Sequence, residues 1–413
     1  MPLPQSLPQP NPKRLAVRVT PDARRHIAAG HPWVYDESIT SLNHRGGPGD
    51  LAVIFDDDRK FVAIGLNDPA SPIRIKILHH GRPLAINRDF WKARLQAALA
   101  IRVPLSSSGN TTGYRCVNGE NDGFPGLVLD RYADVLVLKL YSSAWIPHLA
   151  DVVAAITETM HPKAVVLRLS RSVQSGALHG LEQGMALFGE VPNGPVLFTE
   201  AGLHFEADVV QGQKTGHFLD QRDNRVLTGQ MTSGATVLDM FAATGGFGVH
   251  AAAGGATRVT SVDLSAPTLA VAKRNMAHNR RNSTVAACFH ETVVGDAFEV
   301  MDRLVRARER YDVVVIDPPS FAQRQSSVEG ALRAYGQLTE RGVRLVAEGG
   351  LLVQASCSSR VGADEFFATV LGSAGRTGYK LHEVRRTGHP IDHPVTFPQG
   401  AYLKAMFARV ERL

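Results

Sequence analysis

The chain has 413 residues, 44% of them hydrophobic, enough for two or three domains with substantial cores. Its formal net charge is +6, and Lys plus Arg exceed Asp plus Glu by two in each of residues 1–80, 81–195 and 196–413. That balance permits a polyanionic partner but localises no basic patch. The three cysteines, Cys116, Cys288 and Cys357, show no CxxC spacing, which argues against a disulfide framework and a zinc cluster, so no metal is expected.

Residues 1–12 are Pro-rich, without the charged and apolar regions of a signal peptide, and are expected to form a disordered tail. No apolar run approaches the roughly 18 residues of a membrane span, so a cytoplasmic protein with no membrane partner is expected. Residues 14–19 alternate like a strand, 23–29 suit a short helix, and 30–35 turn into a second strand. Residues 49–56 and 61–66 read as a hairpin, and 73–78 alternate strictly. Five short strands make a small β-barrel-like module. With Arg24-Arg-His-Ile-Ala-Ala-Gly-His-Pro-Trp33 and the Gly49-Asp50 turn, it resembles a PUA domain, an RNA-binding pseudobarrel.

Residues 90–101 have the spacing of an amphipathic helix, and 106–113 read as a flexible loop. Strands at 127–130, 135–141 and 164–169, with a helix at 149–160, predict a compact α+β domain ending near the Pro192–Pro195 turn. Arg115, Glu120 and Asp122 lie in it without a spacing that specifies chemistry and read as turn and salt-bridge residues. A strand is expected at 200–208. The loop that follows, 211–225, has the glycines, lysine and alternating charges of a lid but not the spacing of a P-loop.

The stretch Thr236-Val-Leu-Asp-Met-Phe-Ala-Ala-Thr-Gly-Gly-Phe-Gly-Val-His250 then reads as strand, loop and helix, with backbone amides converging at the helix start. Gly245, Gly246 and Gly248 are expected to let a ligand approach closely. Gly246-x-Gly248-x-x-Ala251 also fits a dinucleotide fingerprint, a weak signal alone. Asp239 at the strand end repels a pyrophosphate but suits the ammonium of an amino-acid moiety. Asp263, ending another short strand, suits ribose hydroxyls. Amino-acid ammonium plus ribose describes S-adenosylmethionine, and a doubly wound sheet binding something else is the alternative.

Tyr311-Asp-Val-Val-Val-Ile-Asp317 is a buried strand delivering Asp317 to the crevice of Asp239 and Asp263. Pro318 and Pro319 rigidify the turn and leave carbonyls without local backbone donors, suited to gripping a flat base edge. Asp296, after another strand, is placed to accept from an adenine amino group. The strand in 349–359 leaves Cys357 at its carboxyl end, at the lip of the same crevice.

At these residues the chain resembles the RlmI family of class I methyltransferases, which place 5-methylcytosine in large-subunit ribosomal RNA. The resemblance spans about 13–413 and is carried by Val117–Arg131, Gly212–Arg222, the Asp239 loop, Asp317-Pro-Pro-Ser-Phe321, Ser356-Cys-Ser358, His393-Pro394 and Tyr402-Leu-Lys404. It implies an α/β chain: a tail at 1–12, a PUA pseudobarrel at 13–80, a small α+β central domain at 81–195 and a Rossmann-like class I methyltransferase domain at 196–413. S-adenosylmethionine is the implied cofactor. Its implied site is Lys214, Phe218, Asp220, Arg222, Asp239, Phe241, Thr244, Gly245, Gly246, Asp263, Leu264, Asp296, Ala297, Asp317 and Pro318, with Pro319 and Phe321 on the substrate. Cys357 is the implied nucleophile toward carbon 6 of cytosine, with Asp317 holding the ring; Cys116 and Cys288 are taken as structural. The implied partner is large-subunit ribosomal RNA, and dimerisation is a family-level expectation. Two departures stand out: the Pro-rich leader, and His217, where the family usually has an aromatic or hydrophobic residue.

Two other functions compete. Asp-Pro-Pro followed by Phe321 resembles the turn of enzymes that methylate base nitrogens, displaced by Ser320; a nitrogen lone pair needs no thiol, so Cys357 discriminates. An RNA-binding assembly factor with a vestigial cofactor pocket is the other, disfavoured by the intact set of four acids and Cys357. A dehydrogenase comes last.

Overall fold

The computed structural model describes residues 3–4, 6–322 and 324–413. The chain forms two compact units. The first holds the residues through Thr199 together with Ala207–Leu219 and Ile391–Phe397; the second holds Glu200–Glu206, Asp220–Pro390 and Pro398–Leu413.

In the first unit, β1 (Leu15–Val19) leads to α1 (Pro21–Ala28), which Thr20 caps by accepting from the Ala23 amide. β2 (Trp33–Tyr35), β3 (Ile39–Leu42), β4 (Leu51–Phe55), β5 (Phe61–Asn67) and β6 (Ile73–His80) complete a sheet ordered β2-β6-β5-β4-β1-β3. It has six strands where the sequence suggested five. β3 was missed because only Ile39 and Leu42 of its four residues are even half-buried, so alternation is absent.

After α2 (Arg88–Ile101) and the single turn α3 (Val103–Ser106) come β7 (Gly113–Asn118), β8 (Leu127–Tyr132), β9 (Val135–Leu140), α4 (Leu149–Met160), β10 (Ala164–Leu169), α5 (Arg171–Gln174) and β11 (Ala186–Phe188). Their strands are ordered β11-β10-β9-β8-β7. One apolar core continues from Leu51, Ile64 and Leu78 of the first sheet to Trp91, Trp145 and Leu138. The leader is not a free tail over its described residues: Leu3 and Leu7 pack against this core, and the Ser6 hydroxyl donates to the His179 carbonyl at 2.6 Å. Two apolar side chains among the prolines supply the driving force.

The expected single strand at 200–208 is instead β12 (Val196–Glu200) and β13 (Leu203–Ala207), separated by Ala201 and Gly202 with φ of 49° and 83°. The second unit adds α6 (Arg222–Gly229), β14 (Thr236–Met240), α7 (Gly246–Ala253), β15 (Arg258–Asp263), α8 (Ala266–His278), α9 (Ser283–Ala287), β16 (Phe289–Val294) and α10 (Ala297–Arg306). It continues with β17 (Tyr311–Ile316), α11 (Val328–Leu345), β18 (Val346–Ser356), α12 (Ala363–Arg376), β19 (Tyr379–Thr387) and β20 (Lys404–Arg412).

The sheet order is β16-β15-β14-β17-β18-β20-β19; the first five strands are parallel, and β20 runs antiparallel to both neighbours. β17 is apolar at four consecutive buried positions, as a parallel strand covered on both faces must be. α11 buries Val328, Ala331, Tyr335 and Leu338, the spacing of one helical face. No helix among the described residues is long and apolar enough to cross a membrane.

Residues 207–219 and 391–397, assigned from sequence to the C-terminal domain, belong with the first unit. Arg102, 1% exposed, explains the second excursion. Its guanidinium donates to both Asp122 carboxylate oxygens (2.8 and 2.6 Å) and to the carbonyls of Ala98, Arg115 and Asp392. Asp392 accepts in turn from the Arg115 amide, and Arg115 pairs with Asp130. Phe397 meets Trp33 edge-on at 5.1 Å, and Trp33 donates to Glu120. Arg115, Glu120 and Asp122 are thus structural partners.

Removing Arg102 leaves Asp122 buried and unpaired, which costs about 3–5 kcal/mol. The variant Arg102→Met should lower the denaturant midpoint of the first unit accordingly. Trp33, Trp91 and Trp145 all lie in that unit, so intrinsic fluorescence reads it selectively. An unchanged midpoint would show that the network adds no net stability.

Candidate active site

In the second unit the chain winds outward from β14 through β15 to β16, then returns to the other side of β14 with β17. That reversal opens a crevice at the carboxyl ends of the two central strands. Register sets what lines it. Met240 pairs with Val262 and Ile316, and Ile316 pairs with Gln354. Asp239, Asp263, Asp317 and Cys357 therefore all come at one end of the sheet.

Asp239 is 1% exposed. Its Oδ2 accepts from the Gly248 amide at 3.1 Å, while its Oδ1 is buried without a hydrogen-bond partner. Burial pushes the carboxyl up to about 8, with the charges of Asp317 and Asp263 adding to the rise and the Gly248 amide opposing it. A buried acceptor without a donor is costly, and an incoming ammonium would supply what it lacks.

The turn after β14 is strained. Phe241, Ala243 and Gly245 have φ of 60°, 46° and 78°, and a left-handed non-glycine residue costs roughly 1–2 kcal/mol. Asp263 helps to hold the turn, its Oδ2 accepting from the Ala243 amide at 3.0 Å and its Oδ1 from Ser265 at 2.9 Å. Part of its hydrogen-bonding capacity therefore serves the loop itself. The glycines also serve internal packing. A Cβ at Gly245 would lie 2.8 Å from that of Ala272 on α8, and one at Gly246 would lie 2.6 Å from Arg225 Cδ. On their Cβ side the close approach they permit is to protein. The Thr244 carbonyl is held by the Asn275 amide at 2.9 Å.

Leu264, next after Asp263, is 73% exposed, an apolar face available to a flat ring. Asp296 caps α10, its Oδ1 accepting from Phe298 and Glu299, and Ala297 is buried behind it. The cap by itself accounts for an acid at 296. Asp220 is buried and its Oδ2 accepts from the Tyr402 hydroxyl at 2.9 Å; Arg222 is buried at the start of α6, its Nε on Asp223. Lys214 and Phe218 lie in the first unit, the Lys214 ammonium 4.6 Å above the Phe218 ring. There His217 is buried edge-on to Phe198 at 5.3 Å, filling an aromatic side chain's role.

Asp317 follows β17 directly. Its Oδ1 accepts from Gln221 Nε2 at 2.8 Å, Gln221 Oε1 accepts from Asn224 at 2.6 Å, and Asn224 Oδ1 accepts from the Thr387 hydroxyl at 2.6 Å. This relay, which sequence reasoning missed, fixes which end of each amide points where. Its only sequence signal was a pair of uncharged amides, Gln221 and Asn224, within a charged stretch. Cys357 is half-buried, its Sγ 3.9 Å from the Pro318 carbonyl. The first of the two proline carbonyls therefore already has the thiol beside it. Pro319 is exposed, whereas Phe321 turns back onto Tyr335 at 5.2 Å. Burial pushes the Cys116 and Cys288 thiols up, as befits inert residues.

This geometry joins a buried acid in want of a donor, an exposed apolar face, an oriented carboxylate and an accessible thiol. Comparison with known proteins accords with it. A family model described as S-adenosylmethionine-dependent methyltransferase matches residues 187–409, and a PUA-like domain model matches residues 17–80. A Deinococcus radiodurans protein named ribosomal RNA large subunit methyltransferase is 46% identical over 411 residues, 98% of this chain and 100% of that one. One from Shewanella denitrificans, named ribosomal RNA large subunit methyltransferase I, is 35% identical over 405 residues, 96% and 99% of the two chains. A solved structure from Streptococcus mutans, described as an S-adenosylmethionine-dependent methyltransferase, shares the fold with a TM-score of 0.80 at 23% identity, over 95% of this chain and 99% of that one. The chain belongs to the RlmI-like family of S-adenosylmethionine-dependent methyltransferases, with an N-terminal PUA-like domain and S-adenosylmethionine as its cofactor.

Proposed function

We propose that this protein methylates carbon 5 of a cytosine in large-subunit ribosomal RNA, in the cytoplasm, through a transient covalent bond to Cys357. The observation that carries the reading is the pairing of an accessible thiol with Asp317 at neighbouring strand ends, the Cys357 sulfur lying 3.9 Å from the carbonyl that follows Asp317. The names of the relatives supply the RNA class.

Carbon 5 of cytosine is a poor nucleophile. Attack of the Cys357 thiolate on carbon 6 forms a sulfur–carbon bond and shifts the ring electrons toward carbon 5. Asp317, with one oxygen already fixed by Gln221, holds the ring N3 and exocyclic amine while negative charge builds. S-adenosylmethionine supplies an electrophilic methyl group to that activated carbon. Water, acting as base, then takes the carbon-5 proton; the electrons of that carbon–hydrogen bond re-form the ring double bond, and the sulfur–carbon bond breaks to return the thiolate. Asp239, Asp263, Leu264 and Asp296 would hold the cofactor's ammonium, ribose and adenine. The PUA-like and central domains would carry the RNA, whose target base must leave its stack.

Incubating the protein with S-adenosylmethionine and unmodified ribosomal RNA should give 5-methylcytidine on nucleoside mass spectrometry. A methylated purine would overturn the carbon-5 reading. Cys357→Ala should lose turnover by at least about 10³-fold while binding cofactor as the parent does, because the covalent route has no substitute. Appreciable turnover in that variant would remove Cys357 from the mechanism.

Asp239 gives a separate test. With its carboxyl near 8, the free protein is largely protonated there at neutral pH. Binding an ammonium favours the carboxylate and expels the proton, so affinity should rise with pH by up to about tenfold per unit between roughly pH 6 and 7.5. It should turn over as the cofactor's own amino group deprotonates. Calorimetry in buffers of different ionisation heat would register the released proton. In Asp239→Asn the rise should vanish; a pH-independent affinity in the parent would refute the ammonium assignment.

A further inference from the structure

Lys404, the first residue of β20, is a cation the mechanism above does not use. It pairs in register with Ser356 at the end of β18 and is 5% exposed. Its ammonium donates to the carbonyls of Ser358, Val361 (2.6 Å) and Tyr402 (3.2 Å), so all three protons are used. None of these partners is an acid, and no carboxylate among the described residues lies within ion-pairing distance of it. A buried charge held by neutral dipoles alone is unusual, because its desolvation is normally offset by a counter-charge.

Cys357 and Glu365 are the titratable groups that act on it, and Tyr335 and Asp317 lie on the elements beside β18. Glu365 on α12 accepts from the Gly362 amide, and Tyr335 on α11 accepts from the Ser356 hydroxyl. Asp317, after β17, is held by Gln221. Cys357, whose Sγ lies against the Pro318 carbonyl, is adjacent in the chain to the Ser358 carbonyl that Lys404 grips.

We propose that the Lys404 ammonium is the counter-ion of the Cys357 thiolate and, through the Ser358 and Val361 carbonyls, the positioning residue of the turn that presents it. The pair forms when the thiol releases its proton to solvent; Lys404 keeps its own. Burial lowers the Lys404 amine to about 8, and Cys357 is the largest charge acting against that fall. The ion thus gains from a thiolate what it lacks from a carboxylate. The catalytic meaning of the pair rests on the carbon-5 reading, but its existence does not.

The test is the pH dependence of iodoacetamide alkylation of the full chain without RNA or cofactor, read at the Cys357 peptide by mass spectrometry. In the parent the midpoint should fall below the roughly 8.5 of a free thiol. Lys404→Met should raise it by at least about one pH unit, and Lys404→Arg should restore most of the difference. A merely structural lysine would change folding without moving this midpoint. An unchanged midpoint in a folded Lys404→Met overturns the proposal. Should that variant not fold, Lys404→Gln, which keeps donors without charge, is read the same way. Should neither fold, the parent decides: a midpoint at or above about 8.5 overturns the proposal, and one clearly below supports it. A methylated purine in the nucleoside assay would refute the use of Cys357 in catalysis and leave this result standing. An unmoved midpoint would refute the pair and leave 5-methylcytidine formation unexplained by it.

Discussion

Parallel strands cannot be joined by a tight turn; each must be followed by a crossover that returns the chain to the same starting edge. In the second unit this brings the ends of β14, β15, β17 and β18 to one side, and the order in which they are visited leaves β14 and β17 adjacent with their connections departing in opposite directions. Everything chemical in the unit follows from that reversal. Asp239, Asp263 and Asp317 share one edge because each lies at or just past the end of a strand in register with the next, and their mutual charge helps to keep Asp239 protonated.

The edge is crowded with acids yet accepts few internal donors. Gly248 satisfies one oxygen of Asp239, Ala243 and Ser265 occupy Asp263, and Gln221 orients Asp317. Among the described acids of this edge, one buried oxygen of Asp239 has no hydrogen-bond partner. The strained residues Phe241 and Ala243 sit beside it, where the surrounding amides over-determine the backbone. Strain and an orphan acceptor at one strand end mark a place whose shape is set for something other than its own stability.

These strand ends were legible from the sequence because a buried parallel strand writes itself as an unbroken apolar run, and Val313–Ile316 stops abruptly at an acid. Thiol, acids and Asp-Pro-Pro could thus be placed together before any coordinates. The relay from Thr387 through Asn224 and Gln221 could not, since its members are far apart in the chain and share no periodicity. The packing role of the glycines was hidden for a related reason: Ala272 and Arg225 press on Gly245 and Gly246, and sequence does not show which neighbour presses. Likewise β3 and the Ala201–Gly202 turn lack the alternation or the paired turn residues that would have announced them.

The bond from Arg102 to the Asp392 carbonyl spans 290 positions in the chain. At a synthesis rate of about 5–20 residues per second, Asp392 is made about 15–60 s after Arg102. Until then one N–H of the Arg102 guanidinium and the backbone amide of Arg115 lack their acceptors, while both guanidiniums already hold Asp122 and Asp130. A ribosome that stops short of Phe397 releases a product whose early half is still incomplete. Such a truncated chain leaves two donors of its interior without their acceptors and Trp33 without Phe397 beside it, and is more open to proteolysis, so one C-terminal segment completes the first-made half.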